Sequence, residues 1–170
     1  MTQRYGWLLI GTLLISVGCA KDRPTPFRDK QLGIAVVFPG EPISVRYSEP
    51  TPYGTVEWHG RSFRPAIRMD QNFQVDVGNL PEGTRGGSTP SEVVETYDKW
   101  LRKRLGKVGR EELSIEKGPG FKYHAVSPAG THLLGQIVVR RGRLHRAEVE
   151  APKQNDPRAK SFLDSFEVLP

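Results

Sequence analysis

Cysteine is nearly absent from this chain: Cys19 is the single one in 170 residues. One thiol excludes an internal disulfide framework and any zinc site built on paired cysteines. Histidine is almost as scarce, and His59, His124, His132 and His145 are not spaced as the HExxH helix motif requires. Phosphate-binding glycine patterns are missing as well. "GTRGGSTP", residues 83 to 90, has no lysine after its glycines and does not spell GxGxxG. It reads as a loop leading into a helix. No GxSxG nucleophile elbow occurs. Asp70 and Asp76 fall on one alternating strand with Asn72 and Gln74. At ~3.3 Å per residue their carboxylates stand about 20 Å apart, too far to act as an acid–base pair. All four are expected on a solvated face. These absences exclude the familiar catalytic motifs and leave no cofactor or metal to expect.

Long apolar runs are also lacking, with one exception. Residues 6 to 17 are nearly all apolar, preceded by Arg4 and followed by the small residues Gly18, Cys19 and Ala20 and then Lys21-Asp22. Charge, apolar stretch and small-residue end are the order of a secretory signal, and the run is too short to span a bilayer, which takes roughly 20 residues. The Gly18-Cys19 junction resembles the lipobox of bacterial lipoproteins, with Ser16 where that family usually has an aliphatic residue. The resemblance implies cleavage before Cys19, acylation of its thiol, and membrane attachment through those acyl chains. Ala20 in place of an aspartate fits sorting to an outer membrane, facing the periplasm. Cleavage after Ala20 by an ordinary signal peptidase is the alternative. The division expected is a signal over 1–18, a tether over 19–27 and a single domain over 28–170. About 150 residues suffice for one such domain without staples.

Acidic residues are outnumbered, 19 against 25 basic, for a formal charge of +6. An exported protein rarely meets nucleic acid; anionic lipid head groups or envelope polymers are the better acidic partners, and simple solubility accounts for the excess more readily still. The sharpest basic feature is "VVRRGRLHR", residues 138 to 146. It reads as a hairpin whose tip presents Arg140, Arg141 and Arg143 to an anionic surface, with Arg146 close behind. The competing reading is an exposed tip kept soluble by arginines.

The rest of the chain alternates strands and turns. "GIAVVFPGEP" predicts a strand over 33–38; "SVRYSE" and "GTVEWHGRSF" predict a hairpin around "PTPYG", with Trp58 inward and His59 outward. Thr89-Pro90-Ser91-Glu92 then supplies an N-cap, a first-turn proline and a capping-box glutamate. Val94, Tyr97, Trp100 and Leu101 follow at helical spacing up to Gly106, so a helix over 90–105 should lay them on a sheet. Glu95–Lys99 and Asp98–Arg102 are i,i+4 pairs of opposite charge. "VGREELSIEKG", "FKYHAVS", "THLLGQIVV" and "RLHRAEVEA" predict four more strands, the third apolar on both faces and hence central. His145 shares a face with Ala147 and Val149 and reads as a core histidine. A short helix capped by Asn155 or Asp156 closes the chain.

The class expected is α+β, a mainly antiparallel sheet of about six to eight strands flanked by two amphipathic helices. "GIAVVFPGEP", "VDVGNLPEG", the helix after it and "SFLDSFEVL" resemble a group of uncharacterised bacterial exported proteins. Their architecture is similar to the α-β-α sandwich of PsbP, the extrinsic protein of the photosystem II oxygen-evolving complex. The resemblance covers residues 27 to 168, rests on turn and core residues, and implies a fold without catalytic residues. The function expected is that of a non-catalytic envelope lipoprotein, an accessory module docking an envelope protein. The alternative is a small-ligand-binding or hydrolytic domain, which a pocket gathering His124 or His132 with a carboxylate would favour.

Overall fold

The computed structural model describes residues 23–66, 68–113 and 118–170. Cys19, the apolar run and the tether up to Asp22 lie outside the described residues, as does the later part of "VGREELSIEKG".

Among the described residues ten strands and three helices follow in the order β1 (Thr25–Asp29), β2 (Ile34–Phe38), β3 (Ile43–Thr51), β4 (Gly54–Phe63), β5 (Asn72–Asn79), α1 (Glu82–Gly87), α2 (Pro90–Leu105), β6 (Val108–Glu112), β7 (Gly120–Val126), β8 (His132–Arg140), β9 (Arg143–Ala151), α3 (Pro157–Asp164) and β10 (Glu167–Val168). Seven strands form one antiparallel sheet in the order β3-β4-β5-β9-β8-β7-β6. A second sheet, β1-β2-β10, has three. The single sheet expected is therefore two, and the two helices expected are three.

Strand alternation sorts side chains to the two faces of the large sheet. Val56, Trp58, Phe121, Ile137 and Leu144 meet Val94, Tyr97 and Leu101 of α2. Phe73, Val75, Ala147 and Val149 meet Phe162 of α3 and Ile34 and Phe38 of the small sheet on the opposite face. Among the described residues, the buried members of both cores fall between residues 34 and 166, so residues 23–170 carry both. β8 is interior and feeds both cores, Ile137 and Val139 on one side and Val138 on the other. β9 holds the middle place.

α2 spans the residues its caps foretold. The Thr89 hydroxyl accepts from the Glu92 N–H at 3.3 Å, and the Glu92 carboxylate accepts from the Thr89 N–H at 2.7 Å. Trp100 and Glu95 differ from expectation, whereas the Asp98–Arg102 pair is as expected. Trp100 is half-buried, tilted onto Tyr97 at 5.0 Å and under the Arg104 guanidinium at 5.2 Å. Asp98 is buried and held by both Arg102 and Arg110 at 3.0 Å, while Glu95 joins Arg110 at 2.6 Å instead of Lys99. Arg110 comes from β6, and this long-range partner outcompetes the helical neighbour.

Two further differences follow, and one expectation is met. The tether's end is strand: β1 turns Phe27 onto Phe38 at 6.3 Å, and an edge position tolerates Pro26. The loop "GTRGG" begins inside the six-residue helix α1. α3 is capped by Asp156, whose Oδ1 accepts from the Arg158 and Ala159 N–H groups while Oδ2 accepts from the buried Gln71. Among the described residues no helix is long and apolar enough to cross a membrane.

Candidate functional site

β9 pairs with β5 so that Arg146 stands opposite Asp76, and β4 places Gly60 on the other side of Asp76. A Cβ on Gly60 would lie 2.5 Å from Asp76 Oδ1, so the glycine makes room for the carboxylate. Arg146, expected as a surface base behind the hairpin tip, is 5% exposed, and Asp76, expected on a wet face, is fully buried. The correction has one cause: each strand is interior to the sheet, and each charge finds its partner across it.

The Arg146 guanidinium donates to Asp76 Oδ2 at 3.2 Å, Glu49 Oε2 at 3.2 Å, the Tyr97 hydroxyl at 3.4 Å and the Tyr47 hydroxyl. Its carbon lies 4.4 Å from the centre of the Trp58 ring, a cation–π contact in a dry setting. Asp76 Oδ2 also accepts from Tyr47 at 2.9 Å and Gln74 at 2.8 Å. Glu49 takes a second guanidinium, that of Arg104, and Glu148 accepts from Tyr123.

Burial works against the charge on Arg146, but Tyr97, Glu148, Asp76 and Tyr47 around it hold its pKa well above the usual value. Asp76 is pushed upward by burial, against the pull of Arg146 and of its bonds from Gln74 and Tyr47. Burial likewise raises Tyr47, and raises Tyr97 to about 12. Both phenols stay protonated near neutral pH; Tyr47 donates to Asp76, and Tyr97 accepts from Arg146.

Above this network a cleft of about 660 Å³ opens on the α2 face. α2 covers the half of that face built from Leu144, Val139 and Phe121; the half carrying Gln74, Arg146, Glu148 and Glu150 has no such lid. Leu101 and Leu105 of α2, Leu133 and the exposed Met69 give apolar walls. Asp70, Glu49, Glu148 and Glu150 give carboxylates, against Arg104 and Arg146. A cleft so walled can take the aliphatic stem and charged head of a basic side chain.

The residues singled out in the sequence are dispersed. Arg140 donates to the Val168 carbonyl at 3.1 Å and Arg143 to the Gln31 carbonyl at 2.9 Å, docking the hairpin on the small sheet. Arg141 is exposed, at φ 51 beside Gly142 at φ 70, in the left-handed two-residue turn that tight hairpins favour. His145 is buried as expected; burial foremost, with Arg143 and Arg140 nearby, lowers its pKa to about 4. His59 is half-buried on the face opposite Trp58, not fully in solvent. His124 Nε2 and His132 Nδ1 are 2.9 Å apart with rings parallel within 6°, so one imidazole donates to the other. Burial and the neighbouring His132 lower the His124 pKa. Asp70 is exposed at the lip of the first cleft. No group of three or more metal-ligating side chains gathers among the described residues.

The ionic network escaped the sequence reading, yet left a signal. Asp76 in "FQVDVG" is a charge set between two valines of one strand, and Arg146 in "LHRAEV" is an opposite charge on another.

An antiparallel sheet covered by a helix on one face, and by a helix with a small sheet on the other, is a PsbP-like sandwich. The chain is similar to the solution structure of cyanobacterial PsbP (CyanoP) from Synechocystis sp. PCC 6803, with a TM-score of 0.54 and 17% identity over 89% of this chain and 95% of that one. At that identity the likeness shows the fold. No family model matches the sequence, and no curated protein matches it.

Proposed function

We propose that this protein is a membrane-anchored envelope lipoprotein whose PsbP-like domain is a non-catalytic interaction module. Acyl chains on Cys19 hold it to the outer membrane, facing the periplasm, and the first cleft receives a basic segment of an envelope protein. The observation that carries the docking role is one of charge: a cleft with four carboxylates and two guanidiniums is acidic on a chain of formal charge +6. A basic partner is drawn there and repelled elsewhere. The Gly18-Cys19 junction supports the anchor, and the first strand begins at Thr25, so a link of six residues at up to ~3.6 Å each keeps the domain within about 22 Å of the bilayer.

Two measurements test the two halves separately. The intact mass of the membrane-extracted protein is expected to show an acylated Cys19, and Cys19→Ser is expected to block processing; an unmodified start at Lys21 overturns the anchor. Capture from native membranes with tagged wild type and with Glu148→Lys/Glu150→Lys is expected to yield a partner only with wild type. Identical capture by both overturns the docking site.

A second reading, a small-ligand-binding domain, is supported by a second cleft, which brings His124 near Glu111 and Asp164.

A further inference from the structure

α3 has only eight residues and lies over β2, β8 and β9, so among the described residues no helix covers the α3 face of β6 and β7. Between α3 and those strands runs a cleft of about 680 Å³, within the range that holds small organic ligands. Its apolar walls are Leu134 of β8 and Leu163 of α3, both half-buried. Gln136 lies in its floor, 2% exposed. The Gln136 amide donates to the Leu163 carbonyl at 2.5 Å, in the last turn of α3, beside the Phe166 N–H that reaches the same oxygen at 3.3 Å. That bond fixes the side chain, and Gln136 Oε1 is left with no donor from the protein. A buried amide oxygen is costly to leave unpaired, so a donor brought by a ligand gains the full value of the bond.

The rim says what charge the ligand has. Lys122 pairs with Glu111 at 3.7 Å and Lys160 with Asp164, so the charges there cancel. Arg110 contributes no field of its own: its guanidinium is turned to the other face, over the Phe121 ring and bound to Glu95 and Asp98. A neutral rim, apolar walls and one fixed acceptor select against ions.

We propose that this cleft is a binding site for a neutral small molecule with an apolar, ring-sized body and one N–H or O–H group, held by Leu134 and Leu163 and oriented by a hydrogen bond to Gln136 Oε1. The proposal develops the ligand-binding reading. Acylation and partner docking do not enter its test, so it fails or stands apart from them.

Indole and 1-methylindole are the probes, because they share a body and differ in the one donor. Each is titrated into isotope-labelled residues 23–170 and followed by amide chemical shifts. Indole is expected to shift Gly135, Gln136 and Leu163 saturably, and 1-methylindole to bind at least tenfold more weakly. Gln136→Met is expected to bring both probes to the same weak affinity. Leu134→Trp fills the cleft from a half-buried position, leaves the glutamine in place, and is expected to abolish both, which keeps the test sound where Gln136→Met folds poorly. Equal affinity of wild type for the two probes, shifts mapping outside the cleft, or no saturable shift overturns the proposal.

Discussion

The two faces of the large sheet are made differently. The face under α3 and the small sheet is an apolar core from Phe38 and Phe73 to Val149 and Phe162, open past α3 where the second cleft lies over β6 and β7. The face under α2 is apolar only in part; the rest is an ion-paired network around Arg146, with a cleft above it. An apolar core yields its stabilisation from burial alone. A buried ionic network must first repay desolvation, so it is a weak route to stability and a strong way to fix where charges point. The partner docking proposed above belongs to the α2 side, where the paired charges are.

Breaking the network at one member should give the largest effect. Arg146→Met leaves Asp76 and Glu49 buried without their cation and is expected to cost about 3–5 kcal/mol in urea unfolding. A cost under about 1 kcal/mol would mean that the α2 face tolerates the loss as a surface would.

The next effect belongs to the α3 side and depends on pH. His145 has its folded pKa lowered to about 4 from an ordinary 6.5. As pH falls below 6.5 the unfolded chain takes up this proton first, so stability is full above 6.5 and is lost progressively toward 4. The loss is expected on the order of 2–3 kcal/mol at most. His145→Gln should flatten that part of the pH profile, and an unchanged profile would place the titration elsewhere.

Trp100→Ala comes third. Half-burial against Tyr97 sets its cost at about 2 kcal/mol, below the 3–5 kcal/mol of a fully buried aromatic. A full-sized cost would mean that α2 covers more of its face than the geometry allows.

The smallest effect is at the arginine tip. Arg140 and Arg143 hold carbonyls of the domain, so Arg141 is the one most available to an anionic surface, where a basic residue is worth roughly 1 kcal/mol. Arg141→Gln is expected to weaken binding of residues 23–170 to anionic vesicles about fivefold at low salt. No change would leave the tip as a turn that docks the small sheet.

What the sequence disclosed follows the range of the interaction. α2 was legible to its terminal residues because its capping box, proline and Gly106 all lie within one turn of its ends. The Arg141-Gly142 hairpin was legible for the same reason. β1 was not, because a proline-bearing edge strand has no local pattern apart from Phe27, and its partner β2 decides it. The ionic network was least legible of all. Its members come from β3, β5, α2 and β9, and Arg146 lies 70 positions from Asp76 and 97 from Glu49. Periodicity shows which face a residue takes; it does not show what waits on that face.

The central claim is that the α2-side cleft, and not the apolar side, meets a partner. A photo-reactive side chain at Met69, 76% exposed at the cleft lip, reports on one, and the same group at Val37, 37% exposed on the small sheet, reports on the other. Illuminated in native membranes and mapped by mass spectrometry, the account predicts an adduct from Met69 to a lysine- or arginine-bearing segment of an envelope protein, and none from Val37. Adducts to the same partner from both positions, or from Val37 alone, would contradict it.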